Sequence, residues 1–118
     1  MHRNAFLAVG ILAIAACVTS SAQDLARTAG DGARVILEND KVRVIELTVA
    51  PGASTGMHSH GDHIIYFLEP GEALQKNPDG TEEKRSLPAG HIEWGNPVSH
   101  DTVNRGSVAS RTLIIELK

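Results

Sequence analysis

Two histidines separated by a single residue, His58 and His60, are the side chains in this sequence whose types and spacing best suit chemistry. Alternate side chains of an extended strand share one face, so the two imidazoles would lie on the same side, about 7 Å apart along the strand. Two neutral imidazoles placed in this way can bind one metal ion. The pair therefore predicts half of a metal site, and a third ligand has to come from a distant part of the chain.

The best candidate for the third ligand is His100, which lies in a later segment rich in proline, glycine and polar residues. This segment and the histidine pair together resemble the two motifs of the cupin superfamily. The first motif corresponds to Gly52, five residues, and then His58-Ser59-His60, and the second corresponds to Pro88-x-Gly90 followed by His100 and Asn104. The resemblance extends over roughly residues 33–118 and implies an all-β fold, a cupin-type jelly-roll β-barrel (double-stranded β-helix).

In the cupin superfamily the metal is held by both histidines of the first motif, a glutamate of the same motif and the histidine of the second. The resemblance thus implies the histidine pair and His100 as ligands. The family glutamate is missing here, and His63 aligns with its position because residues 64–69 resemble the strand that follows the glutamate in the family. The site therefore has three or four histidines, with Asp62 as an alternative oxygen ligand.

The missing glutamate also affects which metal the site would prefer. Imidazole is a good donor for zinc, copper, nickel and iron, whereas manganese and magnesium favour oxygen ligands. We therefore expect one divalent transition metal, with iron, zinc, copper, nickel and manganese all left open. Glu93 would be a replacement ligand, or an acid or base, if it pointed inward, but a solvated strand glutamate is the preferred interpretation.

Other polar and aromatic residues have more ordinary interpretations. His91 follows Gly90 in a turn and is predicted to be exposed to solvent, and Trp94 is predicted to pack against other residues. Asn104 is expected to hydrogen-bond a loop that carries a ligand rather than to touch substrate. The sequence has no Ser-His-Asp or Cys-His pattern and no glycine-rich phosphate loop, so it predicts no catalytic residue outside the metal site.

Residues 1–22 are typical of an export signal. A short basic start, residues 1–4, precedes an apolar run over residues 5–16, which is shorter than the roughly 20 residues that span a bilayer. Cleavage after Ala22 would release the domain, whereas cleavage before Cys17, at a sequence that resembles a lipobox, would leave a lipid anchor on that cysteine. Either route predicts export to the periplasm or the cell exterior, with membrane contact only through such an anchor.

Composition limits the rest of the chain to one small domain. The 118 residues are 42% hydrophobic but only 3% aromatic, so the core must be built mainly from valine, isoleucine and leucine, which favour strands. Eleven basic and fourteen acidic residues give a net charge of -3 without a basic cluster, which argues against a nucleic-acid partner. A single cysteine allows neither an intrachain disulfide nor a cysteine-based zinc site.

The cupin-like domain over residues 33–118 reads as short strands separated by turn residues. The predicted strands are residues 34–38, 42–50, 58–60, 64–69, 72–76, 82–87, 91–94, 101–104 and 111–117. Strands at this spacing predict an antiparallel sandwich or barrel without reference to any family. No segment after the leader has helical periodicity, and residues 23–32 are predicted to be a flexible lead-in.

Two local patterns add detail to these strands. The Asn-Pro-Asp-Gly turn at residues 77–80 predicts a hairpin. In the last strand Glu116 is predicted to face outward, and the alternating apolar residues are predicted to face inward: Leu113, Ile115 and Leu117. Both patterns follow from the period of two that strands impose on side-chain direction.

Three functional hypotheses follow. The first is an exported cupin that holds a divalent metal on the histidine cluster and carries out dioxygenation, decarboxylation or isomerisation of a small polar metabolite. The second is a barrel that binds metal or a small ligand without turnover. The third is a metal-free barrel that uses His63 or His100 for proton transfer, as some cupin sugar epimerases do. A small molecule is the expected partner, and a domain of this size is compatible with a homodimer.

Overall fold

The computed structural model describes residues 23–118, which form a short helix, a 3-10 turn and nine strands. The helix α1 spans Leu25–Thr28, and the 3-10 turn spans Gly30–Gly32. The strands are β1 (Ala33–Glu38), β2 (Val42–Val49), β3 (His58–His60), β4 (His63–Phe67), β5 (Gly71–Lys76), β6 (Glu82–Leu87), β7 (Ile92–Gly95), β8 (Val98–Asn104) and β9 (Ser110–Leu117). Each predicted strand is present, and the largest difference is that β8 begins three residues earlier than predicted.

All strand pairs are antiparallel and form two sheets. The five-stranded sheet has the order β1-β2-β9-β4-β7, and the four-stranded sheet has the order β3-β8-β5-β6. Successive strands such as β3 and β4 lie in different sheets, so the chain passes repeatedly from one layer to the other and the two layers enclose a common interior. The predicted all-β, antiparallel fold is confirmed.

The interior is filled by aliphatic side chains, as the composition predicts. Its buried members are Leu25, Ile45, Leu47, Val49 and Ile114. Residues directly opposite one another in paired strands share a face, and Ile45, Ile114 and Ile65 are opposed across β2, β9 and β4. Burying each such side chain contributes about 1.5–3 kcal/mol. This aliphatic row forms one wall of the interior. His58, His60 and His100 lie on strands of the opposite, four-stranded sheet.

The last strand, β9, faces the other way from the prediction. Ile114 is 5% exposed and points inward, and Glu116 follows on the same face, whereas Leu117 is 40% exposed. The prediction that Glu116 faces outward is therefore wrong. The outer face of this sheet is also apolar, so alternation locates the strand without saying which of its faces is buried.

Residues 23–32 are not a structureless lead-in. Asp24 caps α1 by accepting a hydrogen bond from the backbone N–H of Ala26 at 3.2 Å, and Arg43 donates two bonds to the same carboxylate at 2.6 and 2.9 Å. Leu25 comes next and is fully buried in the core. A helix of four residues is too short to produce a helical pattern in the sequence, which is why periodicity does not reveal it.

The hairpin predicted at residues 77–80 joins β5 to β6. Its register pairs Lys76 with Glu82, and Gly80 takes a φ of 86°, which favours glycine. Because side chains alternate along β6, Lys84 is exposed on the outside while Arg85 is half-buried and lines the interior. The hairpin thereby brings one cationic side chain into the space between the sheets.

The predicted export signal, both of its cleavage sites and the lipid anchor at Cys17 lie outside the described residues. They stay predictions. Within residues 23–118, the one helix is far shorter than a membrane-spanning helix, and none is long and apolar enough to cross a bilayer.

Candidate metal centre

Three of the predicted ligands meet where β3 pairs with β8. His58 lies directly opposite His100, and His60 follows His58 on the same face of β3. One ligand atom from each imidazole lies within 4.8 Å of the other two, and all three residues are buried. The ring centroid of His58 lies 4.7 Å from that of His60 and 4.8 Å from that of His100. The fold thus brings the predicted pair and the distant histidine into one cluster.

The backbone fixes which nitrogen of His58 carries the proton. Its Nδ1 lies 2.7 Å from the carbonyl oxygen of Gly56, and because a carbonyl only accepts, Nδ1 donates and Nε2 keeps its lone pair. Gly56 has a φ of 76°, a conformation that favours glycine and lets the turn before β3 present this carbonyl to the ring. Metal-binding histidines are commonly oriented in this way, through the nitrogen that does not bind the metal.

Burial keeps His58 and His100 neutral at physiological pH. Burial, together with the neighbouring histidines, lowers the pKa of His100 to about 3. Burial also lowers the pKa of His58. Neutral imidazole is the form that binds a metal, so no proton has to be displaced from these two side chains at pH 7. The donor set therefore fits one divalent transition metal of the kind that imidazole favours, such as iron, zinc, copper or nickel.

The carboxylate of Glu116, which the sequence does not place at the site, lies beside His60. Oε1 of Glu116 is 3.4 Å from Nδ1 of His60, an ion-pair distance without the alignment of a hydrogen bond. This buried nitrogen has no hydrogen-bond partner within residues 23–118. Burial alone would raise the pKa of Glu116, but contacts with His60 and with Arg43, at 2.8 Å, outweigh burial and lower it. Glu116 is therefore ionised at neutral pH.

His63 lies next to the cluster but outside the three-histidine group. Its ring stacks on that of His60 with the centroids 4.5 Å apart, and its Nδ1 donates to the carbonyl of Gly61 at 2.7 Å. The ring also packs against Gly95 on β7, where any Cβ would overlap Nε2. A role for His63 as a fourth ligand stays a prediction, and the alternative ligand Asp62 is exposed and lies outside the group.

Three residues on or near β7 differ from their predictions. Glu93 is ion-paired rather than solvated, because it accepts a hydrogen bond from Arg85 at 2.7 Å and lies 3.2 Å from Nε2 of His91. The bond from Arg85 is the main cause that lowers the pKa of Glu93. His91 is half-buried instead of exposed, and Trp94, predicted to pack, is 56% exposed. Glu93 lies outside the histidine group, so it is not a replacement ligand there.

Asn104 has the supporting role that its position in the second motif implies. Its amide nitrogen donates to the carbonyls of Val49 and Val108, both at 2.9 Å, and its Oδ1 accepts from the N–H of Gly106 at 2.8 Å. These bonds tie the end of β2 to the turn between β8 and β9. Because both N–H groups are used, Asn104 positions backbone and does not donate to a substrate.

The three histidines open onto a cavity of about 80 Å³ between the sheets. Apolar parts of its wall come from Leu25, Leu47, Ile65, Phe67, Leu87 and Ile114, and polar parts come from Gln75, Arg85, Thr102 and Thr112. Sequence reasoning does not identify Arg85 or Glu116 as neighbours of the site. The predicted hairpin could have indicated that Lys84 and Arg85 lie on opposite faces of β6, so that one of the two faces the interior. The position of Glu116 depends instead on which face of β9 is inward.

Known proteins resemble this chain in sequence and in fold. No protein-family model matches the chain. The chain is similar to the β-alanine degradation protein BauB of Pseudomonas aeruginosa, with 36% identity over 72 residues that cover 59% of this chain and 75% of that protein.

Solved structures share the fold. A cupin domain from Bordetella pertussis has a TM-score of 0.68 and 27% identity, over 73% of this chain and 91% of that chain. A double-stranded β-helix protein from Klebsiella pneumoniae has a TM-score of 0.57 and 22% identity, over 77% and 81% of the two chains. The polyketide cyclase RemF of Streptomyces resistomycificus has a TM-score of 0.58 and 23% identity, over 80% and 71%. The last two show the fold alone, and together the three confirm the predicted jelly-roll β-barrel.

Proposed function

This chain belongs to the cupin superfamily, and we propose that it is a metal-dependent enzyme that oxidises a small polar metabolite with dioxygen. The observation that carries the proposal is the cluster of His58, His60 and His100 at the wall of an interior cavity. Three protein ligands leave coordination positions open for a small molecule. His58, His60 and His100 would hold a redox-active metal such as iron, which would supply oxygen chemistry when bound.

The protonation state of nearby carboxylates favours oxidation over isomerisation or decarboxylation. The latter two reactions commonly need a side chain that exchanges a proton near pH 7. Glu93 and Glu116 are half-buried carboxylates beside the interior, and each is ion-paired with an arginine and has a lowered pKa. Glu72 lines the cavity and is exposed. The name of the relative from Pseudomonas aeruginosa places it in the breakdown of β-alanine, a small amino carboxylic acid, which supports a small carboxylated metabolite as substrate class.

Metal content and oxygen uptake test this proposal. The protein, purified without a His tag from an exporting host, is expected to contain one metal per chain, and the iron-loaded protein is expected to consume oxygen with small amino and carboxylic acids. Stoichiometric metal without oxygen uptake would favour the binding barrel without turnover. A protein that takes up no metal would contradict the proposal and favour the metal-free, epimerase-like barrel.

Export completes the proposed function and rests on the sequence of residues 1–22. The apolar run and the small residues before Gln23 support cleavage after Ala22, and the lipobox-like sequence before Cys17 supports a lipid anchor as the alternative. Mass spectrometry of the mature N-terminus from an exporting bacterium distinguishes a free Gln23 from a lipidated Cys17. An intact Met1 would contradict export by either route.

A homodimer through the outer face of the five-stranded sheet is the proposed assembly. One outward residue from each strand forms an apolar row across this face, in the order Leu37, Val44, Ile115, Ile64 and Trp94. The two ends of the row, Leu37 and Trp94, are 52% and 56% exposed. Beside the row, Arg34 and Glu46 supply both charge signs. An apolar face bordered by both signs is complementary to itself, so a second copy fits it about a two-fold axis.

A further inference from the structure

One cation shares the cavity with the histidine cluster. Arg85 on β6 lines the same cavity as His58, His60 and His100, and its side chain is 23% exposed. The residue opposite it on β5 is Ala73, whose small side chain leaves the guanidinium room above the sheet. The guanidinium-bearing side chain therefore borders the same cavity as the cluster.

Glu93 orients the side chain of Arg85 but accepts a hydrogen bond from only one of its donors. Glu93, from the edge strand of the other sheet, accepts one hydrogen bond from Nη2 of Arg85 at 2.7 Å. Glu93 is in turn held by Nε2 of His91 at 3.2 Å, and the ring of His91 contacts Phe67 edge-on. Arginine carries five N–H donors, and within residues 23–118 Glu93 is the only side-chain hydrogen-bond partner of Arg85. The second N–H of Nη2 and the donors on Nη1 and Nε are left for a ligand.

We propose that Arg85 binds the carboxylate of a small organic acid whose other end reaches the histidine cluster. This inference rests on the proposed function and adds the residue that recognises the carboxylate of the substrate. Ile65, Phe67 and Leu87 offer an apolar wall to the short carbon chain between the two ends. The three histidines are neutral ligands, and the nearby Glu116 is shared between His60 and Arg43, so a divalent metal there would keep part of its positive charge uncompensated, while Glu93 already neutralises Arg85. An anionic ligand balances that charge.

A purely structural role explains the position of Arg85 less well. The ion pair with Glu93 joins the edges of the two sheets, but both side chains are about one-quarter exposed, and pairs of this kind add little to stability. Lys84, the preceding residue of the same strand, already exposes a cation on the outer face, so solubility does not require a second one directed inward. An inward guanidinium beside a ligand cavity is instead the arrangement that recognises a carboxylate through two parallel hydrogen bonds.

Zinc-loaded protein, which does not turn over, separates this inference from the proposed function. Zinc stoichiometry is measured first for the unmodified protein, Arg85→Gln and Lys84→Gln, and all three are expected to bind equally. Calorimetric titration with propionate and with its neutral isostere propionamide follows. Arg85→Gln is expected to weaken propionate binding at least tenfold and leave propionamide unchanged, because a charge-assisted bond to the carboxylate is lost. Lys84→Gln removes the same charge from the outer face of β6 and is expected to change neither.

Each other outcome has a distinct meaning. Equal propionate affinity in the unmodified protein and in Arg85→Gln would place the carboxylate on the metal and overturn the inference, while leaving the metal site intact. Absence of propionate binding to the unmodified protein would also overturn it. If no protein binds zinc, the proposed function fails, and propionate binding to the metal-free protein still tests Arg85. Arg85→Lys, which keeps the charge but loses the planar fork, is expected to show an intermediate loss and guards against misfolding of the glutamine variant.

Discussion

At the scale of single residues, the proposed metal binding depends on three imidazoles that two paired strands bring together. Replacing His58 or His100 with alanine is expected to abolish stoichiometric metal, because each supplies one of three ligand atoms that lie within 4.8 Å of one another. His91→Ala is the matched control, since its imidazole is half-buried against Glu93 and outside the cluster. Elemental analysis of the three proteins measures the result. Equal metal loss in all three would show that the cluster is not the binding site.

Buried histidines also make the stability of the metal-free protein depend on pH. The pKa values of His58 and His100 are lowered by burial, so below about pH 6.5 the unfolded chain binds more protons than the folded one. The free energy of unfolding is therefore expected to fall as pH falls from 6.5. For His100, with a pKa of about 3, the change from pH 7.5 to 5.5 costs about 1.4 kcal/mol.

Urea denaturation of the metal-free protein at several pH values measures this loss. A His100→Gln variant lacks one titrating group, so its stability is expected to vary less between pH 7.5 and 5.5. Identical pH dependence in the variant and the unmodified protein would mean that His100 is not held neutral by the fold.

The histidine cluster follows from the sequence, whereas its charged neighbours do not. His58 and His60 alternate along one strand, and their motif with His100 implies a shared site before any coordinates are considered. Glu116 and Arg85 reach the site only through the pairing register of β9 and of the β5–β6 hairpin. Register between distant strands such as β4 and β9 is set by packing of the whole barrel, whereas the turn sets the register of the β5–β6 hairpin and leaves open which face of β6 is inward.

At the scale of elements, β9 supplies the carboxylate that the first motif lacks. Glu116→Gln is expected to weaken zinc binding about tenfold, because outer carboxylates orient a histidine ligand and raise its basicity. Glu38→Gln is the control, since it removes a carboxylate whose ion pair with Lys118 is solvent-exposed. Competition with a chelator measures both affinities, with urea denaturation as a check on folding. Equal zinc affinity in both variants would show that the contact between Glu116 and His60 has no part in metal binding.

The short helix α1 is expected to stabilise the barrel far more than its length suggests. Leu25 is fully buried and lines the cavity, so Leu25→Ala is expected to cost about 2–5 kcal/mol. Leu117→Ala removes the same atoms from a side chain that is 40% exposed and is expected to cost less than about 1 kcal/mol. Urea denaturation compares the two. Similar costs would mean that residues 23–32 are a loose lead-in, as the sequence predicts.

These two elements also show what pattern alone can and cannot establish. The nine strands are predictable because turn residues mark their ends, and the longest of them, such as β9, show a period of two. The helix α1 has four residues, fewer than the length over which a helical period can be recognised, and its position depends on the contact between Asp24 and Arg43. Strand faces remain ambiguous where both sides of a sheet are apolar, as in β9.

At the scale of the whole molecule, the outer apolar row leaves hydrophobic side chains of the five-stranded sheet exposed to solvent. The row runs from β1 to β7 without a charged residue, and a second copy that lays the same face against it buries the exposed ends at Leu37 and Trp94. Trp94→Lys places a charge within this row and is expected to convert a dimer to a monomer. Val108→Lys is the control, because Val108 is 61% exposed in the turn between β8 and β9, outside the row.

Light scattering coupled to size-exclusion chromatography measures both masses. A barrel that holds its metal in the interior does not need this contact for the site itself, so the Trp94→Lys monomer is expected to keep its zinc. Retained zinc in a monomer would assign the outer face to assembly and the inner face to chemistry. An unmodified protein that is monomeric at micromolar concentration, or a Trp94→Lys protein that stays dimeric, would contradict a dimer built on this face.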